Sequence, residues 1–336
     1  MEIRATDPGH ALRQFCGIAL MDSQYSHVPV GLRPSRVGPC ISVLEPVTTI
    51  YSRPRQRVLL NAERDPNPFF HLYESLWMLA GRNDVEFVSY FVKRMAEFSD
   101  DGKTLHGAYG WRWTNFFTHD QIESAIDMLH KDPTSRRCVV TLWDPYRDPI
   151  KAAAGGKDVP CNTQIYFDIR DGEHLNMSVT CRSNDALWGA YGANVVHFSM
   201  LMEYVLESLK LRGLPKLQMG TYTQFSHDMH VYVDRFSTEK LRAIQQAPAI
   251  TPRPCTPIFQ SIDGQRVFLH DLKNLNELMK GVVPANTFKS PYFNNVVVPM
   301  HRVWLHRLPA DLEKIGCPGW AAGAYVWLHS RKKEAK

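Results

Sequence analysis

Residues 160–194 constrain the fold more than any other part of the chain. Within them, residues 175–182 alternate apolar and polar side chains, the pattern of a strand with one buried and one polar face. A Pro-Cys-Asn-Thr-Gln strand start precedes this segment, and a Gly-rich bend leads from it into an apolar helix. Arg182 and Ser183 reach the strand end together, as donors for a phosphate. We therefore predict a nucleotide site that also contains a nucleophile, Cys161.

Each of these residues also has a plainer interpretation. A cysteine that follows proline at a strand start is usually a small buried thiol, and an arginine at a strand end is usually solvated. Because the cysteine and the arginine occur together in one predicted strand pair, we favour the nucleotide site over these plainer interpretations.

Composition limits the class of protein. The 336 residues are 44% hydrophobic and 11% aromatic, which suffices for a packed core in one large domain or two. Seven cysteines form no CxxC pair and no zinc-spaced cluster, so we expect a reducing cytoplasm, no disulfide framework and no metal. A scattered net charge of +5 suits a small anionic ligand better than duplex DNA. Without a signal-peptide pattern or a membrane-length apolar window, we expect a soluble cytoplasmic protein that binds neither membrane nor DNA.

The clearest helix signal starts at Asn67, a favourable N-cap residue, with Pro68 at the first helical position and Gly81 after the end. Apolar residues recur there at helical spacing, and Glu74 lies at the margin of their stripe. Such a glutamate either reaches water or is held for proton chemistry. Residues 195–209 are apolar on nearly all sides, which predicts a central buried helix.

Weaker patterns predict further elements, and the Ala- and Gly-rich stretch at 144–159 is expected to be a flexible loop. The strand patterns depend on β-branched residues and the helix patterns on 3.6-residue periodicity. We predict strands at 46–51 and 138–143, and helices at 85–98, 121–130, 271–279 and 296–308.

Two sets of polar residues each allow more than one interpretation. Arg136 and Arg137 precede a strand and point to opposite sides, so either one is structural or the pair lies in a loop that reaches a neighbouring subunit. His227 and His230 are not four residues apart and have no third ligand in view, which favours hydrogen bonding over a metal.

Seven motifs in one order resemble the thymidylate synthase and pyrimidine hydroxymethylase superfamily, especially its phage-type members. The resemblance covers roughly residues 36–232. The motifs are Glu74-Ser-Leu-Trp-Met-Leu-Ala-Gly81, Tyr109-Gly110, Ser135-Arg136-Arg137, Pro160-Cys161, Arg182-Ser183-Asn184-Asp185, Gly189 with Asn194, and Asp228-Met-His230-Val-Tyr232.

The resemblance implies a thiolate mechanism. Cys161 would add to C6 of a pyrimidine nucleotide, so that C5 captures the methylene of the cosubstrate 5,10-methylenetetrahydrofolate. Glu74 would manage protons and an ordered water, and Tyr109 would join them as a catalytic residue.

The resemblance also implies the ligand contacts and a homodimer. The second subunit would contribute Arg136 and Arg137 to the site of the first. The nucleotide ligands would be Arg36, Arg182 and Ser183 at the 5′-phosphate, His230 and Tyr232 at the sugar, and Asn194 at the pyrimidine edge; the folate ligands would be Asp185, Trp77, Gly189 and Met95.

Departures from the synthase pattern bear on the product. Asn162 follows the nucleophile where most synthases have His, and Met95 stands where a shielding tryptophan is expected. The apolar C-terminal tail that closes over the folate in synthases is also absent. Weaker shielding favours water as the nucleophile, which gives a hydroxymethyl product rather than a methyl group.

Asn194 bears on the base. An amide matches the O4 and N3–H edge of uracil, whereas dCMP hydroxymethylases typically carry Asp there, so Asn194 favours dUMP over dCMP. The bend that leads to Asn194 is one residue longer than the usual family spacing, which predicts a displaced side chain.

We expect an α/β (α+β) thymidylate synthase-like fold with a large twisted mixed sheet covered by helices, dimerising through the sheet. Residues 1–240 would form the catalytic domain, and residues 241–336 an extension packed on it with no assigned function. Two alternatives stay open: a thymidylate synthase closed by a different lid, and an inactive nucleotide- or RNA-binding relative.

Overall fold

The structure is a computed structural model that describes residues 1–20, 30–35 and 38–334. Arg36, the expected phosphate ligand, lies outside the described residues.

The strands of the described residues form two sheets. The larger sheet has six strands in the order β1-β4-β9-β7-β6-β5, and the smaller has four in the order β2-β3-β10-β8. The strands are β1 Glu2–Ala5, β2 Val30–Arg33, β3 Cys40–Val43, β4 Val47–Tyr51, β5 Val139–Thr141, β6 Asn162–Asp168, β7 His174–Cys181, β8 Asn184–Asp185, β9 Gln218–Ser226 and β10 Met229–Tyr232.

The larger sheet is mixed, as predicted. Strand β7 pairs parallel with β9 and antiparallel with β6, while β4 pairs antiparallel with β9. The alternation predicted for residues 175–182 is confirmed, because every second side chain of β7 is buried. Hydrogen-bonded register places Cys181 opposite Asn162, so the residues before β6 and after β7 meet at one end of the sheet.

Helices cover the sheet. They are α1 Pro8–Ala19, α2 Pro68–Leu79, α3 Val85–Phe91, α4 Tyr109–Trp111, α5 Gln121–Lys131, α6 Arg147–Ala153, α7 Asn194–Leu211, α8 Thr238–Gln246, α9 Ile262–Lys273, α10 Val298–His306 and α11 Pro318–Glu334.

The two strongest helix predictions are confirmed. In α2 the Asn67 side chain caps the amide of Phe70 at 3.0 Å, and Gly81 adopts a positive φ of 65° just after the helix end. In α7 the apolar side chains are buried almost throughout, and they share the interior with Glu203, which pairs with Arg57.

Three predictions of where a helix or a loop begins and ends were wrong. The helix expected at 85–98 breaks at Val92, whose extended backbone separates α3 from the 3₁₀ turn Lys93–Phe98. The loop expected at 144–159 contains α6, because Asp144 accepts from the amides of Tyr146 and Arg147 at its start. The helix expected at 271–279 is the end of α9 followed by the 3₁₀ turn Leu275–Lys280.

The C-terminal helices pack on α2. The rings of Phe69 and Trp327 meet edge to face at 5.0 Å, and the hydroxyl of Tyr73 donates to the carbonyl of Val297 at 3.0 Å. Sequence patterns missed α11, whose small and aromatic residues show no clear helical stripe. In the described ranges no helix is long and apolar enough to cross a membrane.

Candidate active site

The nucleophile predicted from sequence lies beside a cation. Pairing of β6 with β7 brings Arg182 next to Cys161, and the Arg182 amide donates to the Cys161 carbonyl at 2.8 Å. The guanidinium donates to the carbonyls of Pro160 and Val159, both at 3.0 Å. This fixes its Nη2 at 3.8 Å from the partly exposed Cys161 Sγ. A cation at this distance favours the thiolate form of the cysteine.

Cys161 opens into a cavity of about 240 Å³ between the sheet end and helices α2 and α7. Most side chains predicted for the site line this cavity. The predicted residues in its wall are Glu74, Trp77, Met95, Tyr109, Cys161, Ser183, Asp185, Gly189 and Asn194.

Glu74 and His197 form a buried contact in the cavity wall. The Glu74 Oε2 atom lies 3.0 Å from His197 Nε2, with the two side chains 10% and 2% exposed. The alignment is not that of a hydrogen bond, and neither ring nitrogen of His197 has an aligned partner among the described residues. The pair is therefore a close contact between two polar groups and not an aligned hydrogen bond.

Tyr109 lines the cavity beside Cys161, and its hydroxyl accepts from the backbone amide of Asn162, the next residue, at 3.4 Å. Burial raises the pKa of Tyr109 well above its ordinary value, and a charge on Cys161 would raise it further. The phenol therefore stays protonated and can donate a hydrogen bond to a bound ligand. Buried Arg112 directly follows α4, the short helix that begins at Tyr109. It makes two charged hydrogen bonds to Asp148, at 2.7 and 2.8 Å, which hold this segment in place.

The bend after Asp185 is a π-helical turn, Ala186–Ala193. A π turn holds one more residue than an α turn, as a bend lengthened by one residue would require. Asn194 lines the cavity, and its side-chain amide donates to Asn184 Oδ1 at 3.2 Å. The displacement predicted for Asn194 stays a prediction. A side chain at Gly189 would come within 2.9 Å of Asn184 and 3.0 Å of Asn194, so this contact requires glycine.

The smaller sheet brings His230 and Tyr232 to the same end of the molecule, where β10 pairs with β8 and His230 lies opposite Asp185. Burial raises the pKa of Tyr232. Neither side chain lines the cavity of Cys161. Tyr232 instead lines an adjoining depression that shares Met95, Phe98, Asp185 and Trp188 with the cavity, so the two form one cleft.

Arg136 and Arg137 lie elsewhere. Cys138 pairs with Phe167 at the far end of β6, five residues and roughly 17 Å from Asn162 at 3.3 Å per residue. Both arginines are exposed there. They are therefore not assembled with Cys161 within one chain.

Sequence patterns missed several residues of the cavity wall, including His197, Asp158 and Trp188. His197 follows Asn194 by three positions, which puts both on one helical face once the start of α7 is known. Asp158 precedes Cys161 by three residues in a stretch that was expected to be only a loop. Across the described ranges, no cluster of three His, Cys, Asp or Glu side chains could hold a metal ion.

The sequence model of the thymidylate synthase family matches residues 60–273. A deoxyuridylate hydroxymethyltransferase of Pseudomonas phage M6 is 40% identical over 321 residues, covering 89% of this chain and 88% of the relative. Proteins of the same name from Bacillus phage SP01 and Delftia phage PhiW-14 are 35% and 37% identical. These matches cover 62% and 53% of this chain, and 55% and 50% of the respective relatives. The cavity thus lies in a recognised catalytic fold: the chain belongs to the thymidylate synthase family.

Proposed function

We propose that the protein transfers a hydroxymethyl group to C5 of dUMP, using 5,10-methylenetetrahydrofolate and water. The observation that carries the proposal is the Cys161 thiol held 3.8 Å from the Arg182 guanidinium at the mouth of a cavity that also contains Glu74. The activity in the name of the 40%-identical phage relative supports this choice of reaction.

In this reaction the chain supplies the nucleophile and the proton-handling groups. The Cys161 thiolate bonds to C6 of the base, which makes C5 nucleophilic toward the folate methylene. Glu74, with His197 at 3.0 Å, would move protons at the base. The protonated Tyr109 hydroxyl donates to the bound base or to an ordered water.

The nucleotide would enter with its phosphate toward the strand ends. Arg182 and Ser183 lie there together, and the resemblance adds Arg36. Asn194 would read the pyrimidine edge from the start of α7, where its side-chain nitrogen is directed to Asn184. In this orientation the carbonyl oxygen of the Asn194 amide remains to accept N3–H of uracil, which supports dUMP.

The folate would occupy the adjoining part of the cleft. Trp188 is 41% exposed there and offers a flat apolar surface, and Met95 and Phe98 line the same depression. Asp185, Trp77 and Gly189 complete this side of the cavity. Met95 lines this part of the cleft where the family resemblance leads one to expect a shielding tryptophan, and the smaller side chain supports water as the final nucleophile.

We further propose a homodimer formed through the exposed face of the larger sheet. Register places Val139, Tyr166, Ser178 and Phe225 on that face, and Val139 and Phe225 are 43% and 38% exposed. Apolar side chains on a strand face are typical of subunit contacts. Arg136 and Arg137 border this face, so they would reach the site of the partner.

The remaining expectations stay proposals. Residues 1–240 would carry the catalytic machinery and residues 241–336 would support α2 from outside, consistent with the contact of Trp327 on Phe69. We propose that the protein acts in the cytoplasm, where nucleotide and reduced folate are available.

Release of tritium from C5-labelled dUMP tests the enzyme class. Wild-type protein with methylenetetrahydrofolate should release tritium, and Cys161→Ser should not. If wild type released tritium no faster than Cys161→Ser, the thiolate mechanism would be refuted, and background release by both proteins would favour an inactive nucleotide-binding relative.

A further inference from the structure

Asp158 is a carboxylate in the cavity wall that has no role in the chemistry described above. It lies three residues before Cys161, and Val159, Pro160 and both end residues all line the cavity. The Gly107 amide donates to its Oδ2 at 2.7 Å, which fixes the carboxylate in place. A side chain at residue 107 would lie 2.8 Å from its Oδ1, so glycine permits this approach.

The other two acidic residues of the cavity wall are already engaged. Glu74 is paired with His197, and Asp185 Oδ1 caps the amides of Leu187 and Trp188 at 2.9 and 3.1 Å. Asp158 forms no ion pair among the described residues: the Gly107 amide holds its Oδ2, and its Oδ1 can accept from a ligand or a water.

We propose that Asp158 is the general base that takes a proton from the water that adds to the reaction intermediate. This role rests on the proposed hydroxymethyl transfer. It also gives a role to a carboxylate in the wall of the cavity that contains Cys161, since a methyl-forming enzyme must instead keep water out of such a cavity.

The step balances without any oxidant or reductant. After C5 has bonded to the folate methylene and lost its proton, tetrahydrofolate leaves and an exocyclic methylene remains on the Cys161 adduct. The water oxygen bonds to this methylene carbon, and the water proton passes to Asp158. The electron pair moves onto the ring as an enolate, which expels the Cys161 thiolate from C6 and yields the hydroxymethyl nucleotide.

The surroundings of Asp158 suit a base. Burial raises its pKa, while the Gly107 amide and the nearby His106 and Arg112 lower it, and Asp100 raises it slightly. A carboxylate whose pKa lies closer to neutral pH is the stronger proton acceptor.

The test compares Asp158→Asn with wild type and with Asp263→Asn, an exposed control on α9. The assay contains C5-tritiated dUMP, methylenetetrahydrofolate and 2-mercaptoethanol, a thiol that captures an exocyclic methylene as a thioether. Asp158→Asn should lower hydroxymethyl-dUMP formation by about 10²–10⁴-fold, the usual effect of losing a general base. Tritium release should continue, and the thioether should replace the hydroxymethyl product.

Asp158→Glu should restore part of the hydroxymethyl product, since it returns a carboxylate. Wild-type-like product formation by Asp158→Asn would overturn the role, and so would loss of tritium release together with product. If wild type itself made no hydroxymethyl product, the proposed function would fail and this role with it. If wild type made it and Asp158→Asn made it equally fast, only the role of Asp158 would fail.

Discussion

The Glu74 carboxylate lies 3.0 Å from the Nε2 atom of His197, and both side chains are buried in the wall of the cavity that contains Cys161. Both side chains line the same cavity, so under the proposed function we assign proton transfer at the base to the pair and not to Glu74 alone.

Replacing Glu74 should therefore lower kcat more than it weakens substrate binding. We expect Glu74→Gln to lower kcat for dUMP by about 10²–10⁴-fold, because loss of a general acid or base has this effect. Steady-state kinetics measure this decrease in kcat. The control is Glu86→Gln, which replaces an exposed glutamate of α3. A change confined to KM would contradict a proton-transfer role.

The Arg57–Glu203 ion pair should contribute strongly to stability. Both side chains are almost completely buried, at 1% and 0% exposure, and their atoms lie 2.5 Å apart. Glu203→Gln would leave the Arg57 charge without its full partner, at an expected cost of about 3–5 kcal/mol in the free energy of unfolding. Urea denaturation checks the value.

The exposed pair of Arg266 and Asp263 provides the matched control, with both side chains about four-fifths exposed. Asp263→Asn should leave the urea midpoint nearly unchanged. Equal effects of the two substitutions would show that burial does not determine the contribution.

Stability should decrease as pH falls from about 6.5 toward 4. Burial among Tyr73, Phe91 and Trp304 lowers the pKa of His301 to about 4, from 6.5 in the unfolded chain. Between these pH values the unfolded state binds a proton that the native state does not. This difference lowers the free energy of unfolding by on the order of 3 kcal/mol.

Unfolding free energies measured from pH 7 to pH 4 test this slope. His301→Leu removes the proton uptake, so its stability should depend less on pH than that of wild type. His119→Leu, at an exposed position, should keep the wild-type slope. Parallel curves for wild type and His301→Leu would contradict the assignment.

Subunit mixing tests the proposed shared site. We expect Cys161→Ser and the double variant Arg136→Ala/Arg137→Ala each to be inactive alone. After unfolding and refolding together, half of the dimers are mixed and each has one intact site, so activity should recover to about a quarter of wild type. No recovery would place the arginines outside the partner site.

Local patterns predicted the parts of the fold whose burial is periodic. The alternation in β7 and the capped stripe of α2 identify a buried face by themselves, because side-chain period follows backbone geometry. The pairing of β6 with β7 then explains why a cysteine and an arginine 21 residues apart in sequence become neighbours. Helix α11 and the break at Val92 could not be predicted, since both depend on tertiary contacts.

Sequence analysis identified the candidate site residues that belong to a family motif. It missed the residues that can be recognised only because they line the cavity. Cys161, Glu74 and Asn194 belong to motifs of the family. His197 and Asp158 became visible only when α7 and the loop before β6 were seen to face one cavity. Arg136 and Arg137 fit the motif but lie at the far end of β6, so their role depends on an assembly that one chain does not contain.

The identity of the product tests the central claim most directly. The protein should be incubated with dUMP and 5,10-methylenetetrahydrofolate, and the nucleotide and folate products separated by chromatography and identified by mass. We predict 5-hydroxymethyl-dUMP together with tetrahydrofolate, because Met95 stands where the family resemblance leads one to expect a tryptophan that shields the intermediate from water. Formation of dTMP with dihydrofolate would contradict the account and identify a thymidylate synthase.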